Sequence, residues 1–314
     1  MFATADGDEV LLCPAPADAL RAHLVALHGG EHAPVTWMVL PEQGHELVAY
    51  ARAHPPAPPV AAPLPSGLRR HTAVLAADGG LEPLFQSVAP ARDGARLEAS
   101  DLPDVLPRLQ AWTRLDQAPA LHLSLSLTAL LSPAFTRFVS AAGEAGLAGR
   151  LGASVPLLAA VADLHAWAEA AAVARADKVA VAVDGVSHAA LALVDPAALG
   201  PDLVRVSWSP EMIEGGPRLL AALRVIDPGR IVLEKADTET ALRWGLSRGI
   251  RRFGGRHVDV MQAGMRMKAC LAAAACTVRQ CADRAAATSP AGRAGCRNPA
   301  HLSTASGSDA RAAA

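Results

Sequence analysis

Two carboxylates follow strand-like runs and are the first residues with a chemical use. Asp184 comes directly after the apolar run 179–183, and Glu234 ends the run 230–234. In folds built from repeated βα units, polar groups at the carboxyl ends of strands carry the chemistry, because the loops there lie above a packed core. Two structural alternatives remain. Asp184 would suit the cap of the following helix, and Glu234 would suit a solvated carboxylate or the partner of a nearby arginine.

A serine nucleophile is a second, remote hypothesis. Residues 185–189 (GVSHA) nearly match the G-x-S-x-G turn that exposes a catalytic serine, here Ser187, and residues 27–30 (LHGG) resemble an esterase oxyanion loop. Ser187, Asp237 and His257 also follow the hydrolase order along the chain. However, alanine replaces the last glycine of the turn, which needs a small residue. One imperfect motif among several required ones makes this alternative weak.

The elements around these residues alternate between strand and helix. Short apolar runs predict five strands, and segments with helical periodicity separate them. Such alternation is typical of a parallel sheet covered by helices, and the number of units favours a closed barrel over an open sheet. The predicted strands are residues 84–88, 121–127, 179–183, 203–207 and 230–234. The predicted helices are residues 102–115, 129–142, 161–176, 217–225 and 238–248.

The chain is predicted to consist of a barrel with smaller flanking segments. A proline-rich stretch that propagates neither helix nor central strand separates the barrel from a small N-terminal α/β or helical region, which includes a predicted helix at 17–27. A helical segment that contains cysteines and a Ser/Ala-rich tail predicted to be disordered follow the barrel. The predicted segments are 1–53 (N-terminal region), 54–69 (linker), 70–262 (barrel), 263–300 (C-terminal helical segment) and 301–314 (tail).

Charge and hydropathy exclude several classes of partner. The 314 residues include 29 Lys and Arg against 30 Asp and Glu, which gives a net charge of −1. This balance gives no reason to expect nucleic acid or an anionic membrane as partner. No apolar run reaches the roughly 18 residues that crossing a bilayer requires, and the N-terminus lacks the basic start of a signal peptide. We therefore expect a cytoplasmic protein.

The cysteines and histidines form no recognisable ligand motif. An odd number of cysteines without a secretion signal argues against a disulfide framework, and their spacing lacks the close CxxC pairs of a structural zinc site. Buried or free thiols are the expected state. The dispersed histidines are expected mostly at the surface. The five cysteines are Cys13, Cys270, Cys276, Cys281 and Cys296.

Several short motifs occur in a fixed order: residues 85–88 (FQSV), 98–100 (EAS), 184–186 (DGV), 234–238 (EKADT) and Gly254-Gly255. This order resembles the EAL domain, a family of β/α barrels whose active members hydrolyse cyclic di-GMP. The family's first strand and Glu-Ala-Leu signature are similar to residues 85–88 (FQSV) and 98–100 (EAS). Its Asp-Asp-Phe-Gly motif is similar to residues 184–186 (DGV), and its Glu-Gly-Val-Glu-Thr strand to residues 234–238 (EKADT). Together with Gly254-Gly255 near the end, the resemblance covers residues 84–260 and implies an EAL-type β/α barrel.

The same resemblance implies that the catalytic centre is degenerate. Active members use a two-metal site that needs hard oxygen ligands to hold Mg²⁺ or Mn²⁺. By resemblance, three ligand positions are lost, to Ser124, Ser154 and Gly185, and an arginine replaces the family's lysine. A neutral hydroxyl is a poor substitute for a carboxylate as ligand to a hard cation, and an arginine stays protonated. The vestigial catalytic positions are Glu98, Asp184, Arg205 and Glu234, and the vestigial metal positions are Asp184, Glu234 and Asp237.

The sequence therefore predicts a bacterial pseudoenzyme, a regulatory or protein-interaction module related to cyclic di-GMP signalling. No cofactor is expected, since Mg²⁺ or Mn²⁺ would be needed only for activity. Cyclic di-GMP binding is not expected, because the arginine that follows the family's signature is missing after Glu98. By resemblance, a homodimer is conceivable. The alternative is an active metal-dependent phosphodiesterase with an atypical site.

Overall fold

The chain divides into two compact units, Met1–Pro63 and Leu64–Ala314. In the first unit, strand β1 (Phe2–Ala3) pairs antiparallel with strand β2 (Glu9–Val10), and helix α1 spans Gly44–Ala53. The computed structural model describes residues 2–3, 9–10, 22, 38–39, 42–53, 68–77, 80–90, 94–112, 120–287 and 291–302.

Three predicted segments fall mostly outside the described residues. Of the predicted helix at 17–27 only residue 22 is described, and it is helical. The predicted linker at 54–69 is described only from Leu68, which already belongs to the first barrel strand. Of the predicted tail at 301–314, only the first two residues are described. They end a short 3₁₀ helix, Pro299–Leu302, whose last side chain is buried.

Strands and helices alternate through the second unit as the sequence predicts, and each predicted helical segment contains a helix. The strands are β3 (Leu68–Ala77), β4 (Gly80–Pro90), β5 (Ala120–Ser124), β6 (Leu151–Pro156), β7 (Ala180–Val186), β8 (Leu203–Ser207), β9 (Ile231–Glu234) and β10 (Arg252–Phe253). The helices are α2 (Leu102–Trp112), α3 (Leu127–Leu130), α4 (Pro133–Ala142), α5 (Leu157–Ala162), α6 (Leu164–Ala176), α7 (His188–Leu191), α8 (Gly216–Val225), α9 (Glu239–Ser247), α10 (Arg256–Lys268) and α11 (Val278–Ala286).

The strands close into a barrel in the order β10-β3-β4-β5-β6-β7-β8-β9, which confirms the predicted β/α barrel. The prediction of a parallel sheet needs one correction, since β3 runs antiparallel to both β4 and β10 while the remaining neighbours are parallel. The strands predicted from apolar runs also lacked β3, β6 and β10. A hairpin with its turn near Gly80 joins β3 to β4, so no helix separates them, and β10 has only two residues.

Burial on both faces explains why the parallel strands are nearly continuous apolar runs. In β7 (AVAVDGV), four consecutive residues from Val181 to Asp184 are buried, because barrel packing covers one face and helices cover the other. The helices that follow the strands begin at hydroxyl caps. Ser126, Ser187 and Thr238 each accept a hydrogen bond from the third residue of the helix that they precede. The strand ends are therefore fixed at the rim where the candidate site lies.

Two helices follow the barrel, and the predicted domain boundary at 262 falls inside the first of them. Helix α10 packs against α11 around a small buried cluster that includes Ala263, Cys281 and Leu302. The side chain of Gln262 in α10 donates to the carbonyl of Leu81 in β4, so the helix is attached to the barrel. Within the described part of the chain, none of the helices combines the length and apolar character that crossing a membrane requires.

Candidate functional site

The carboxyl ends of five neighbouring parallel strands bring together the polar residues predicted from the sequence. Ser124 in β5 lies beside Ser154 in β6, and the next strands carry Asp184, Arg205 and Glu234 in turn. Ser154 has no exposed surface, and Arg205 is only 6% exposed. The polar residues at these strand ends therefore share one rim of the barrel.

Arg205 lies at the centre of this cluster and bonds to three other strands. Its Nε donates to Glu234 Oε1 at 2.8 Å, and its Nη2 lies 2.7 Å from the same oxygen. Nη1 donates to Ser154 Oγ at 3.0 Å and Nη2 to Ser87 Oγ at 2.6 Å. The guanidinium thus links β4, β6, β8 and β9. Two hydroxyls and one carboxylate accept hydrogen bonds from it, and little of the side chain is exposed to water.

Arg205 keeps its positive charge in this environment. Burial by itself lowers the pKa of Arg205, but the negative charges of Glu234 and Asp184 raise it, and its pKa ends above the ordinary value. A permanent cation therefore occupies the middle of the rim. It cannot exchange protons with a substrate, as the sequence predicted for an arginine at this position.

Asp184 is paired with Arg96, an arginine that the sequence analysis did not identify. Arg96 Nη2 donates to Asp184 Oδ1 at 2.7 Å, with side-chain exposures of 22% and 10%. Helix α7 is capped by Ser187, so the alternative that Asp184 caps it is wrong. Gly185 follows Asp184 with φ 68°, where β7 departs from regular pairing with β8. Glycine suits this left-handed conformation, so the bulge turns the chain immediately after the carboxylate.

The other two predicted acids, Glu98 and Asp237, accept hydrogen bonds that hold loops and helix starts in place. Glu98 accepts a hydrogen bond from Ser126 Oγ at 2.6 Å and so joins its own loop to the start of α3. Asp237 Oδ1 accepts the backbone N–H of Arg256 at 2.7 Å, which fixes the first turn of α10. Thr238, as predicted, starts the next helix. These contacts give both carboxylates structural partners.

His122 is an exception to the expectation that the histidines lie mostly at the surface. Its side chain is buried inside the barrel, and its ring stacks on Phe85 with centroids 3.9 Å apart and planes inclined by 17°. Burial, aided by the positive charge of Arg205, lowers the pKa of His122 to about 3. The guanidinium carbon of Arg205 lies 5.8 Å from the Phe85 ring centroid on this stack. A neutral imidazole therefore forms the apolar floor below the arginine.

Gly152 in β6 leaves room for this imidazole, and replacing it with alanine is expected to destabilise the barrel by about 1–3 kcal/mol. A β-carbon at this position would lie 2.5–2.6 Å from three ring atoms of His122, and Phe85 blocks the ring on its stacked face. Urea denaturation measures the effect. Gly264 in α10 is the control, because an added methyl meets nothing within 4 Å there, and G264A is expected to be neutral or stabilising. Equal effects of the two substitutions would contradict this account.

The residues of the remote serine-hydrolase hypothesis have other partners. Ser187 Oγ accepts the N–H of Ala190 at the start of α7, and Asp237 accepts from Arg256. The neighbouring His188 contacts Ser209 rather than Ser187, the nucleophile of the hypothesis. The resembling oxyanion loop at 27–30 lies outside the described residues. None of the contacts described for Ser187, Asp237 and His257 joins one of these residues to another, so they do not form a catalytic triad.

Several residues of the site were missed because they lie outside the strands that the sequence identified, or look like core. Arg96 precedes Glu98 by two positions, whereas the resemblance implied an arginine only after Glu98. Ser87 and Phe85 read as ordinary members of an apolar strand. The charge of Arg96 near an acidic motif was the one usable signal, since buried arginines are usually paired.

Comparison with known proteins supports no assignment from sequence but finds similar solved structures. No family model matches the chain, and no curated protein matches it. The Vibrio cholerae LapD S helix-GGDEF-EAL structure (apo) is 15% identical with a TM-score of 0.48, covering 81% of this chain and 67% of that one. Bacillus subtilis YkuI, with an EAL domain, substrate c-di-GMP and calcium, is 14% identical with a TM-score of 0.47, covering 61% and 55%.

A third similar structure is an isolated domain. The EAL domain of Mycobacterium smegmatis DcpA is 18% identical with a TM-score of 0.45, covering 60% of this chain and 89% of that one. This chain thus spans little more than half of YkuI but most of a lone EAL domain. Each of these three structures contains an EAL domain. The barrel itself is established by its closed strand order.

Proposed function

We propose that this chain is a catalytically silent EAL-type barrel that acts as a regulatory or protein-interaction module related to cyclic di-GMP signalling. One observation carries the proposal. The carboxylates at the centre of the rim are each paired with an arginine, Glu234 with Arg205 and Asp184 with Arg96. The link to cyclic di-GMP rests on the ordered motifs of the sequence.

The electrostatics of these pairs oppose metal binding. A divalent cation that used Glu234 would have to approach the buried charge of Arg205. At ~4 Å and an effective dielectric constant of about 20, two unit charges repel by about 4 kcal/mol, and a divalent ion doubles that cost. Ser124 and Ser154 offer only hydroxyls, and the Ser154 oxygen already accepts from Arg205. The residues of the rim therefore do not fit a two-metal centre.

The geometry of the described residues agrees with this electrostatic argument. Among them, no group of three or more His, Cys, Asp or Glu side chains is arranged to hold a metal ion. Asp237, the third vestigial metal position, is held by the backbone of Arg256 at the start of α10. An active phosphodiesterase would need these carboxylates as metal ligands, and each of them already accepts a hydrogen bond from Arg205, Arg96 or Arg256.

The direct test is hydrolysis of cyclic di-GMP by the full chain with Mn²⁺. We expect product formation no greater than that of the matched variant D184N, because Asp184 is already neutralised by Arg96. Titration calorimetry with Mn²⁺ alone should show no binding tighter than about 1 mM. Turnover that D184N abolishes would instead establish the alternative, an active metal-dependent phosphodiesterase with an atypical site.

A further inference from the structure

Four cysteines from the C-terminal segment surround one small cavity beside α10 and α11. Cys270 follows α10, Cys276 precedes α11, Cys281 lies within α11, and Cys296 lies in the segment after it. All four are free thiols and line the same cavity, together with Arg284. We call this cavity the thiol pocket. Nothing in the barrel site uses it, and the fifth cysteine, Cys13, lies outside the described residues.

The start of α11 makes Cys276 and Cys281 neighbours. Thr277 caps the helix, and its side chain and that of Gln280 exchange hydrogen bonds with each other's backbone N–H groups in a capping box. Cys276 therefore occupies the position before the cap, and Cys281 the fourth helical position. Side chains at these two positions pack against each other at capped helix starts, an arrangement known as the hydrophobic staple. In this chain both members of the staple are thiols.

The two thiols differ in chemical character. Cys276 is partly exposed, and Arg284 Nη1 donates to its sulfur at 3.0 Å. Cys276 therefore lies beside a cation, which is typical of the surroundings of reactive cysteines. Cys281 is buried, and burial raises the pKa of its thiol more than the charge and hydrogen bond of Arg266 lower it. The pair therefore consists of one accessible sulfur suited to attack and one protected sulfur suited to displace what the first has bound.

We propose that Cys276 and Cys281 form a reversible dithiol–disulfide site for low-molecular-weight disulfides. The Cys276 thiolate attacks one sulfur of the small disulfide, forms a mixed disulfide and releases one small thiolate, which takes up a proton. Cys281 then loses its proton, attacks the Cys276 sulfur and displaces the second small thiol. Two protein thiols are oxidised, one small disulfide is reduced to two thiols, and the bond formed joins residues 276 and 281.

The expectation from the number of cysteines was free or buried thiols. The proposed site adds one reversible disulfide bond but no framework of permanent disulfides. An odd number of cysteines argued against a framework of permanent disulfides, whereas the proposed bond forms and breaks reversibly. The segment has a small buried cluster, in which Cys281 itself packs beside Ala282, Ala285 and Leu302. A disulfide bond between residues 276 and 281 would fix the start of α11. The oxidised form of this segment would therefore be more stable than the reduced form.

Trypsin provides a direct assay, because Arg279 separates the two cysteines. The full chain is equilibrated with oxidised glutathione, free thiols are blocked with N-ethylmaleimide, and the digest is analysed by mass spectrometry. We expect peptide 269–279 joined to peptide 280–284, two hydrogens lighter than their sum. Peptide 269–279 also contains Cys270, so the matched variants decide the assignment. C270S should retain the linked pair, and C276S and C281S should each abolish it.

Reaction rate tests the role of Arg284 separately from the fold. R284Q should slow mixed-disulfide formation about threefold, because the substitution removes the cation that contacts the attacking sulfur at 3.0 Å. Circular dichroism checks that each variant remains folded. The proposal is overturned if the link persists in C276S, if peptide 294–297 with Cys296 replaces it, or if every cysteine stays alkylated under oxidation that closes a reference dithiol peptide.

Discussion

Replacement of Arg205 by methionine is expected to lower the free energy of unfolding by about 3–5 kcal/mol, the usual cost of leaving one member of a buried ion pair without its partner. Methionine keeps much of the length of the side chain but removes every donor. Glu234, whose side chain is 24% exposed, would lose its counter-ion, and the hydroxyls of Ser87 and Ser154 would lose a donor. Urea denaturation, followed by the midpoint at constant slope, measures the change.

An exposed pair of the same composition is the control. Arg243 Nη2 lies 2.6 Å from Glu239 Oε1 in α9, with side chains 77% and 63% exposed. R243M should change stability by less than about 1 kcal/mol, because solvent screens such a pair. The double variant R205M/E234M should recover much of the loss of R205M, since no unpaired charge remains. Similar losses in R205M and R243M would show that burial does not make the Arg205 pair strong.

The general plan of the fold was readable from the sequence because parallel barrel strands are buried on both faces. The runs that became β7, β8 and β9 are short and apolar, and each ends in or near a polar residue. Once such strands are parallel neighbours, their carboxyl ends must meet at one rim. This alone places Asp184, Arg205 and Glu234 together. Strand β3 was missed because its LRRHTAVLAA sequence lacks regular alternation and pairs with β4 through a hairpin rather than a helix.

The partners within the site were less predictable, because they depend on contacts between distant parts of the chain. Arg96 and Asp184 are 88 positions apart, and Arg205 and Ser87 are 118 apart. The motif resemblance predicted an arginine in place of the family's lysine, but it did not predict which groups this arginine would contact. In the structure Arg205 donates to Glu234, Ser154 and Ser87. Similarly, nothing local distinguishes a buried histidine such as His122 from an exposed one, since only its stacking on Phe85 removes it from water.

Acid is expected to destabilise the barrel through His122. In the unfolded chain this imidazole titrates near its ordinary pKa of 6.5, whereas burial and Arg205 lower its pKa to about 3 in the fold. Above pH 6.5 both states are neutral, so the group does not affect stability. Between pH 6.5 and about 3 only the unfolded chain takes up the proton, and stability falls as the pH falls, by about 1.4 kcal/mol per pH unit. From pH 7 to pH 5 the loss from this residue should be about 2 kcal/mol.

Comparing pH slopes isolates this contribution from those of the other ionisable groups. The H122L variant removes the titrating ring, including Nδ1, which is buried without a hydrogen-bond partner. Whatever its stability at pH 7, its free energy of unfolding should fall by about 2 kcal/mol less than that of the unaltered chain between pH 7 and pH 5. G264A, which removes no titratable group, should keep the original slope. If H122L and the unaltered chain lose stability in parallel, His122 takes up its proton in the folded barrel as readily as in the unfolded chain. The imidazole beneath Arg205 is then not held neutral.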